Sequence, residues 1–112
     1  MQDCIFCKII RGDIPSQCVY EDDHVFAFRD VAPQAPVHIL IVPRIHLASA
    51  ADLDRDNSYI AAKCLEAAAI IAKKESLDNG FRIITNSGSD AGQTVAHLHF
   101  HLLGGKPLGS LV

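Results

Sequence analysis

Residues 96–105 read AHLHFHLLGG and place three of the six histidines of the chain at every second position. Successive side chains of a β-strand point to opposite faces, so this alternation predicts a strand over Ala96–Leu103 with one apolar face and one histidine face. The apolar face, which we expect to enter the core, consists of Leu98, Phe100 and Leu102. The histidine face, with about 6.6–7 Å between neighbours, consists of His97, His99 and His101. Because a buried imidazole needs hydrogen-bond partners, such a row has little value as packing and indicates a functional site.

Two kinds of chemistry could use this row of histidines. In the first, a neutral imidazole is a nucleophile at phosphorus and its neighbours bind phosphoryl oxygens. In the second, the three histidines chelate a catalytic zinc ion, which needs about three protein ligands and an open position. The loop directly upstream, NSGSDAGQT at residues 86–94, favours the first, since its glycines and hydroxyls can cradle an anion through backbone N–H groups.

The composition is that of a small globular protein. The chain has 112 residues, which predicts a single domain over residues 1–112, and it is 49% hydrophobic and 21% charged. Its net charge of -3, with no dense cluster of lysine and arginine, argues against a nucleic acid polymer as partner. The longest apolar runs, 39–42 and 67–72, are far shorter than a bilayer span, so we expect no membrane partner.

The four cysteines are expected to be thiols or metal ligands and not disulfides, because the chain is expected to be intracellular. The N-terminal stretch MQDCIFCKII lacks the basic and long apolar regions of a signal peptide, so we expect a cytoplasmic location. Residues 4–7, CIFC, form a CxxC motif that indicates zinc or redox chemistry; the alternative is two small buried side chains in a short helix. We expect Cys64 in the core and His24 in a solvated turn.

Hydrophobic periodicity predicts an α+β fold. The helix stripe recurs at a spacing of three to four residues and contains Ile60, Cys64, Leu65, Ala68, Ile71 and Ala72. The predicted elements are helix Asp3–Arg11, strands Val19–Glu21, Val25–Arg29 and Val37–Val42, helix Leu53–Lys74, and strands Phe81–Thr85 and Ala96–Leu103. This order predicts an antiparallel sheet of about five strands, with one long helix packed across it and a short N-terminal helix. It leaves the pairing order of the strands open.

Several of these segments together resemble the histidine triad (HIT) family. The stretch 97–103 fits the family signature His-φ-His-φ-His-φ-φ, with φ apolar, at all seven positions. Three segments look like the Hint-like branch of the family and occur in the same order: IFCKIIRGDIP (5–15), DVAPQAPVHILIVPRIH (30–46) and NSGSDAGQTVAHLHFHLLGG (86–105). The resemblance covers about Cys4 to Gly109.

The resemblance implies an activity and an assembly. The expected assembly is a homodimer in which two protomers join their sheets. The expected reaction is hydrolysis of a purine nucleoside 5′-phosphoramidate to the nucleoside monophosphate, such as AMP, through a nucleotidyl-histidine intermediate. By the same resemblance, His99 is the nucleophile, His101 binds and polarises phosphate oxygens, and His97 and His38 form a supporting pair that holds the tautomers of the site.

The resemblance also implies nucleotide-binding residues and a metal site. Asp30 would bind the ribose hydroxyls, and the residues around the base would be Val31, Phe6, Ile9, Ile14 and Phe28. The residues on the sugar–phosphate side would be Asn86, Gly92, Gln93 and Thr94, where the branch often has Ser at the position of Thr94. No cofactor is required for the chemistry, but a structural zinc ion is expected, with the ligands Cys4, Cys7, His46 and His97.

Three alternatives to the phosphoramidase remain open from the sequence. A dinucleoside polyphosphate hydrolase would use the same nucleophile with a different leaving group. A nucleotide-binding or scaffold dimer would bind AMP without turnover. A zinc hydrolase would hold one metal ion with His97, His99 and His101. In the Hint-like branch the region after the Gly-Gly pair often tunes specificity, and in this chain it reads KPLGSLV.

Overall fold

The computed structural model describes residues 4–110. Within them the helices are α1 (Ile5–Arg11) and α2 (Tyr59–Lys74), and the strands are β1 (Cys18–Glu21), β2 (Val25–Arg29), β3 (Val37–Pro43), β4 (Phe81–Ile84) and β5 (Phe100–Gly104). The strands form one antiparallel sheet in the order β1-β2-β3-β5-β4. The predicted α+β class and five-stranded antiparallel sheet are therefore confirmed. Neither helix among these residues is long and apolar enough to cross a bilayer.

The sheet is covered on one face by α2 and partly on the other by α1. The central strand β3 is buried on both faces, which explains why its sequence VHILIVP is apolar almost throughout. On the α2 side, the core residues include Val25, Ala27, Ile39, Ile41, Cys64, Ala68, Ile71, Leu98, Phe100 and Leu102. On the α1 side, a smaller cluster consists of Phe6, Ile9, Phe26, Phe28, Leu40 and Val42.

The long helix is shorter than predicted. It begins at Tyr59 and not at Leu53, because the side chain of Asp54 accepts hydrogen bonds from the N–H groups of Asp56 (2.8 Å) and Asn57 (3.0 Å) and holds a separate turn there. The predicted buried stripe is confirmed except at Leu65, which is 46% exposed; Ala67, at 1%, takes its place.

Other predicted boundaries change by a few residues. The last strand begins at Phe100 and not at Ala96, so two of the three histidines precede it. The strand predicted to end at Thr85 ends at Ile84, and the first strand begins at Cys18. The predicted start of the short helix at Asp3 lies outside the described residues.

Candidate active site

The three histidines alternate with apolar side chains as predicted, although only His101 lies within a strand. Leu98, Phe100 and Leu102 belong to the core on the α2 side. His97 and His99 are buried, at 0% and 6% exposure, and His101 is half-buried. The histidines therefore line the opposite side of the segment, where Leu40 of β3 pairs with His101.

The hydrogen bonds of His99 fix its tautomer. Its Nδ1 lies 2.7 Å from the carbonyl oxygen of His97. A carbonyl only accepts, so Nδ1 carries the proton and Nε2 keeps a free lone pair. The ring packs edge-on against Phe6, with centroids 5.1 Å apart, and the hydroxyl of Thr85 donates to the carbonyl of His99 at 2.7 Å. These contacts thus hold the ring of His99 in place with an unprotonated Nε2.

A second chain of hydrogen bonds fixes His38 and His101. The backbone N–H of Gln34 donates to Nδ1 of His38 (3.0 Å), so a neutral His38 carries its proton on Nε2. This Nε2 lies 2.9 Å from Nδ1 of His101 and donates to it. His101 therefore carries its own proton on Nε2. Its ring centroid lies 5.2 Å from that of His99, so the hydrogen-bond chain ends in a ring with a free N–H donor next to the ring of His99.

Burial keeps this pair of histidines neutral. It lowers the pKa of His101 to about 4, and the neighbouring His99 and His38 lower the pKa further. The pKa of His38 is lowered by burial as well, although the carboxylate of Asp30, with Oδ2 3.4 Å from Nε2, opposes that shift. Near pH 7 both rings are neutral, which is the state that the hydrogen-bond chain requires.

Most of the side chains predicted to surround a base lie together. Phe6, Ile9 and Phe28 share the buried cluster under α1, and Ile14 packs against it. Val31 is 100% exposed and is not part of this cluster. Asp30 directly follows β2, close to His38, and its Oδ1 accepts the N–H of Ala32 at 2.8 Å. The structure thus brings all but Val31 of this set to the side of the sheet that carries the histidines; their contact with a nucleotide stays a prediction.

The loop at residues 86–94 is held in shape by Gln93. Its side-chain oxygen accepts the N–H of Gly88 (2.8 Å), and its side-chain nitrogen donates to the carbonyls of Ala48 (2.7 Å) and Val95 (2.9 Å). Asn86 is half-buried, and Gly92 and Thr94 are exposed. Gln93 therefore organises the loop, a role that the sequence did not reveal because its partners are main-chain groups.

Four side chains beside the histidine row form a possible metal site. The sulfur of Cys4 lies 3.3 Å from Nδ1 of His97, and the sulfur of Cys7 lies 3.6 Å from the same nitrogen and 3.5 Å from Nδ1 of His46. All four potential ligand atoms lie within 4.8 Å of one another. Tetrahedral zinc with ordinary bond lengths would place sulfur and nitrogen about 3.5 Å apart, so the spacing fits. Cys4, Cys7, His46 and His97 could therefore hold a metal ion.

The second ring nitrogen of His97 fixes the tautomer that metal binding requires. Its Nε2 donates to the carbonyl of Pro43 at 2.9 Å, so the lone pair lies on Nδ1 and faces the two cysteines. Burial lowers the pKa of His97, which favours the neutral, ligating form. Sequence reasoning had no signal for the role of Pro43, because the group involved is a backbone carbonyl.

A second group of potential ligands, Asp30, His38 and His101, is better described as a hydrogen-bond chain. The N–H of Gln34 occupies Nδ1 of His38, so Nε2 carries a proton and cannot bind a metal ion without a tautomer change. Among residues 4–110, no cluster brings the three histidines of residues 97–101 to one metal ion. The zinc hydrolase considered above therefore has no support in the arrangement of these residues.

Comparison with known proteins gives consistent matches over nearly the whole chain. The HIT domain family model matches residues 11–108. A purine nucleoside phosphoramidase of Escherichia coli (strain K12) is 46% identical over 112 residues, covering 99% of this chain and 94% of that protein. A 14 kDa zinc-binding protein of Brassica juncea is 46% identical over 108 residues, covering 95% of this chain and 96% of that protein. The structure of a HIT family hydrolase from Clostridium thermocellum superposes with a TM-score of 0.97 at 43% identity, covering 100% of this chain and 98% of the other.

Proposed function

This chain belongs to the HIT domain family, and on that premise we propose that it hydrolyses the P–N bond of purine nucleoside 5′-phosphoramidates to nucleoside monophosphates. The observation that carries the proposal is the tautomer of His99, which leaves its Nε2 unprotonated in a ring whose centroid lies 5.2 Å from that of His101. The name of the Escherichia coli relative supports this choice of substrate.

The first step is a displacement at phosphorus. Nε2 of His99 forms an N–P bond while the bond from phosphorus to the amine breaks, and the electron pair of that bond leaves with the amine nitrogen. A neutral imidazole avoids the repulsion that an anionic nucleophile would meet at a negatively charged phosphoryl group. The carbonyl of His97 then stabilises the positive charge on the modified ring, because it accepts the hydrogen bond from Nδ1.

His101 binds the phosphoryl group. Its Nε2–H donates a hydrogen bond to a phosphoryl oxygen, and His38 holds the tautomer that makes this hydrogen bond possible. The departing amine takes up one proton from water as it leaves. In the second step, water attacks phosphorus and releases one proton to the solvent, the N–P bond breaks, and its electron pair returns to Nε2 of His99. Asp30 binds the ribose hydroxyls, and the cluster under α1 binds the base.

We propose zinc as the metal of the Cys4, Cys7, His46 and His97 site, in a structural role. Two thiolates and two imidazoles form a closed tetrahedral set without an open position for substrate, as in structural zinc sites. The name of the Brassica juncea relative supports this choice. Metal analysis of the purified protein tests it: one equivalent of zinc per chain is expected, and a Cys7→Ser variant should bind less.

We also propose a homodimer in the cytoplasm. Half-buried Leu103 and Ile84 lie on the same face of the sheet as His101, at the side of the edge strand β4. The cluster under α1 does not include them, so this part of the face offers a surface for a second copy. The free cysteines of residues 4–110 fit a reducing compartment. Light scattering should give twice the mass of one chain.

The decisive experiment follows AMP release from adenosine 5′-phosphoramidate. The His99→Ala variant should lose about a thousandfold or more of the activity, while His24→Ala, at an exposed histidine outside the site, should keep it. Mass spectrometry of the wild type, quenched during turnover of a slow substrate, should find one nucleotidyl group on His99. Equal AMP release by wild type and His99→Ala would refute the proposal.

Two further measurements separate the alternatives. Faster turnover of a diadenosine polyphosphate than of the phosphoramidate would favour the related hydrolase. Binding of AMP without turnover of either substrate would favour a binding or scaffold role.

A further inference from the structure

The two cysteines of the CxxC motif are placed to react with each other. Their sulfurs lie 3.3 and 3.6 Å from the same nitrogen of His97 and within 4.8 Å of one another. One helical turn separates α-carbons at positions i and i+3 by about 5 Å, inside the range of about 4.4–6.8 Å that a disulfide spans. Both residues are half-buried, so small reagents can reach them.

The remaining two cysteines are not placed in this way. Cys64 is completely buried in the core on the α2 side of the sheet, and Cys18 lies exposed on the edge strand β1. Burial also raises the pKa of Cys64 to about 12, which suppresses its reactive thiolate form. Pairwise oxidation within residues 4–110 is therefore confined to the CxxC motif.

We propose that Cys4 and Cys7 are a site of reversible disulfide formation that competes with the metal ion and loosens the nucleophile. The proposal rests on the metal site described under Proposed function. A low-molecular-weight disulfide is the oxidant: one cysteine sulfur attacks it and releases one small thiol, and the second cysteine then displaces the other small thiol. Two electrons pass from the two thiolates to the reagent, and the two small thiolates that leave take up two protons from water. Metal ligation by both thiolates ends, and the ion leaves.

His97 transmits this change toward the active site. In the reduced protein its buried Nδ1 faces two sulfurs that can hold a metal ion or donate an S–H. A disulfide can do neither, so the nitrogen loses its partners while its ring remains buried. The carbonyl of the same residue accepts the proton of Nδ1 of His99, so movement of His97 releases the nucleophilic ring.

Phe6 supplies a second connection, because it lies between the two cysteines in sequence. Its ring packs edge-on against His97 (5.9 Å), His99 (5.1 Å) and Phe28 (5.6 Å). Closing a disulfide around Phe6 changes the first turn of α1 and therefore the wall that is proposed to bind the base. Oxidation should consequently weaken nucleotide binding as well as slow the reaction.

The test uses zinc-loaded wild-type protein treated with bis(2-hydroxyethyl) disulfide. Trypsin should yield residues 1–8, MQDCIFCK, with a mass lower by two hydrogens after oxidation and restored by a reducing agent. A chromogenic chelator should record one equivalent of zinc released in step with the disulfide. Calorimetry should show at least a fivefold loss of affinity for AMP, and ¹⁵N spectra should show loss of the fixed Nδ1–H signal of His99.

Two variants provide the controls. Cys18→Ser should respond like the wild type, and Cys7→Ser should keep its affinity for AMP unchanged by the oxidant. The proposal is overturned if the peptide never loses two hydrogens, if the disulfide forms without zinc release, or if AMP affinity is the same in both states. None of these measurements uses hydrolysis, so a failure of the proposed phosphoramidase activity would be seen separately, in the reduced protein.

Discussion

At the scale of single residues, main-chain groups decide which nitrogen carries the proton in three of the site histidines. The carbonyls of His97 and Pro43 and the N–H of Gln34 fix the protons of His99, His97 and His38 respectively. The sequence marks the histidines but not these partners, because any residue type carries a backbone amide. The resemblance predicts the roles of the histidines, whereas their tautomers required the structure.

Replacing His38 tests the hydrogen-bond chain at this scale. In His38→Phe, Nδ1 of His101 loses its donor, so the proton of His101 no longer has to occupy Nε2. We expect kcat to fall by roughly ten- to a hundredfold, with a smaller change in KM, because the ring binds no substrate directly. In His38→Gln, the side-chain amide can still donate, and part of the activity should return.

Steady-state kinetics and ¹⁵N spectra of the His101 ring would measure this effect. His24→Phe serves as the matched control, since it removes an exposed histidine outside the site. An unchanged kcat in His38→Phe, with the His101 proton still on Nε2, would show that the chain does not set the tautomer.

At the scale of elements, the alternating pattern of residues 96–103 correctly predicted which side chains share a face, but it did not correctly predict which residues pair with β3. The pairing of β5 with β3 ends at Phe100 opposite Ile41, and the N–H of Leu98 donates instead to the carbonyl of Leu47 at 2.6 Å. Side chains can alternate between two faces in an extended loop as they do in a strand. The periodicity therefore predicted the correct core side chains, but it placed the start of the strand four residues too early. The same limit affected the start of α2, where a local hydrogen-bonded turn competes with the helix.

The end of α2 offers a stability prediction. Ser76 has φ of 58°, in the left-handed region, and the N–H groups of Ser76 and Leu77 donate to the carbonyls of Lys73 and Ala72. This is a Schellman ending, in which glycine is the favoured residue at the position of Ser76. Ser76→Gly should raise the free energy of unfolding by about 0.5–1 kcal/mol, because it removes left-handed strain.

Denaturant unfolding would measure the gain, with Ser16→Gly as the control. Ser16 is exposed and does not have a positive φ, so its replacement should give no gain. Equal effects of the two substitutions would mean that the backbone at Ser76 is not strained.

Metal removal should act mainly through α1. The proposed zinc ligands Cys4 and Cys7 join the start of this helix to His46 and His97, and α1 is only seven residues long. Loss of a tightly bound ion should cost about 3–4 kcal/mol of unfolding free energy, or roughly 10 °C or more in Tm. Calorimetry of wild type with and without a chelator measures the shift.

The matched variants for metal removal are Cys7→Ser and Cys18→Ser. Cys7→Ser should be insensitive to the chelator, whereas Cys18→Ser should respond like the wild type. A chelator response that survives in Cys7→Ser would place the stabilising metal elsewhere.

At the scale of the whole molecule, the fold class followed from hydrophobic periodicity but the strand order did not. The pairing of β3 with β5 joins residues far apart in the chain, such as His38 with Leu103, and no local pattern encodes that choice. The order β1-β2-β3-β5-β4 places the most apolar strand at the centre and brings His38 beside the histidine row. The candidate site thus combines a motif that is visible in the sequence with a neighbour that only the topology supplies.

The same burial of histidines predicts how the stability of the whole fold depends on pH. Burial lowers the pKa of His101 to about 4, whereas in the unfolded chain it is near 6.5; the pKa values of His38 and His97 are lowered as well. Between these two values the unfolded chain binds more protons, so stability is highest above about pH 6.5 and falls as the pH drops toward about 4. His101 alone should account for roughly 2–3 kcal/mol of this loss.

Denaturant unfolding at several pH values between about 4 and 7.5, in wild type and in His101→Gln, isolates this contribution. The variant has no group at that position that titrates in the range, so its free energy of unfolding should fall less steeply with acid. The comparison is made with zinc present in both proteins, because loss of metal from protonated ligands would add the same slope to each. If the two proteins lose stability in parallel, the imidazole of His101 does not have the depressed pKa, and the neutral hydrogen-bond chain proposed to support catalysis would lose its physical basis.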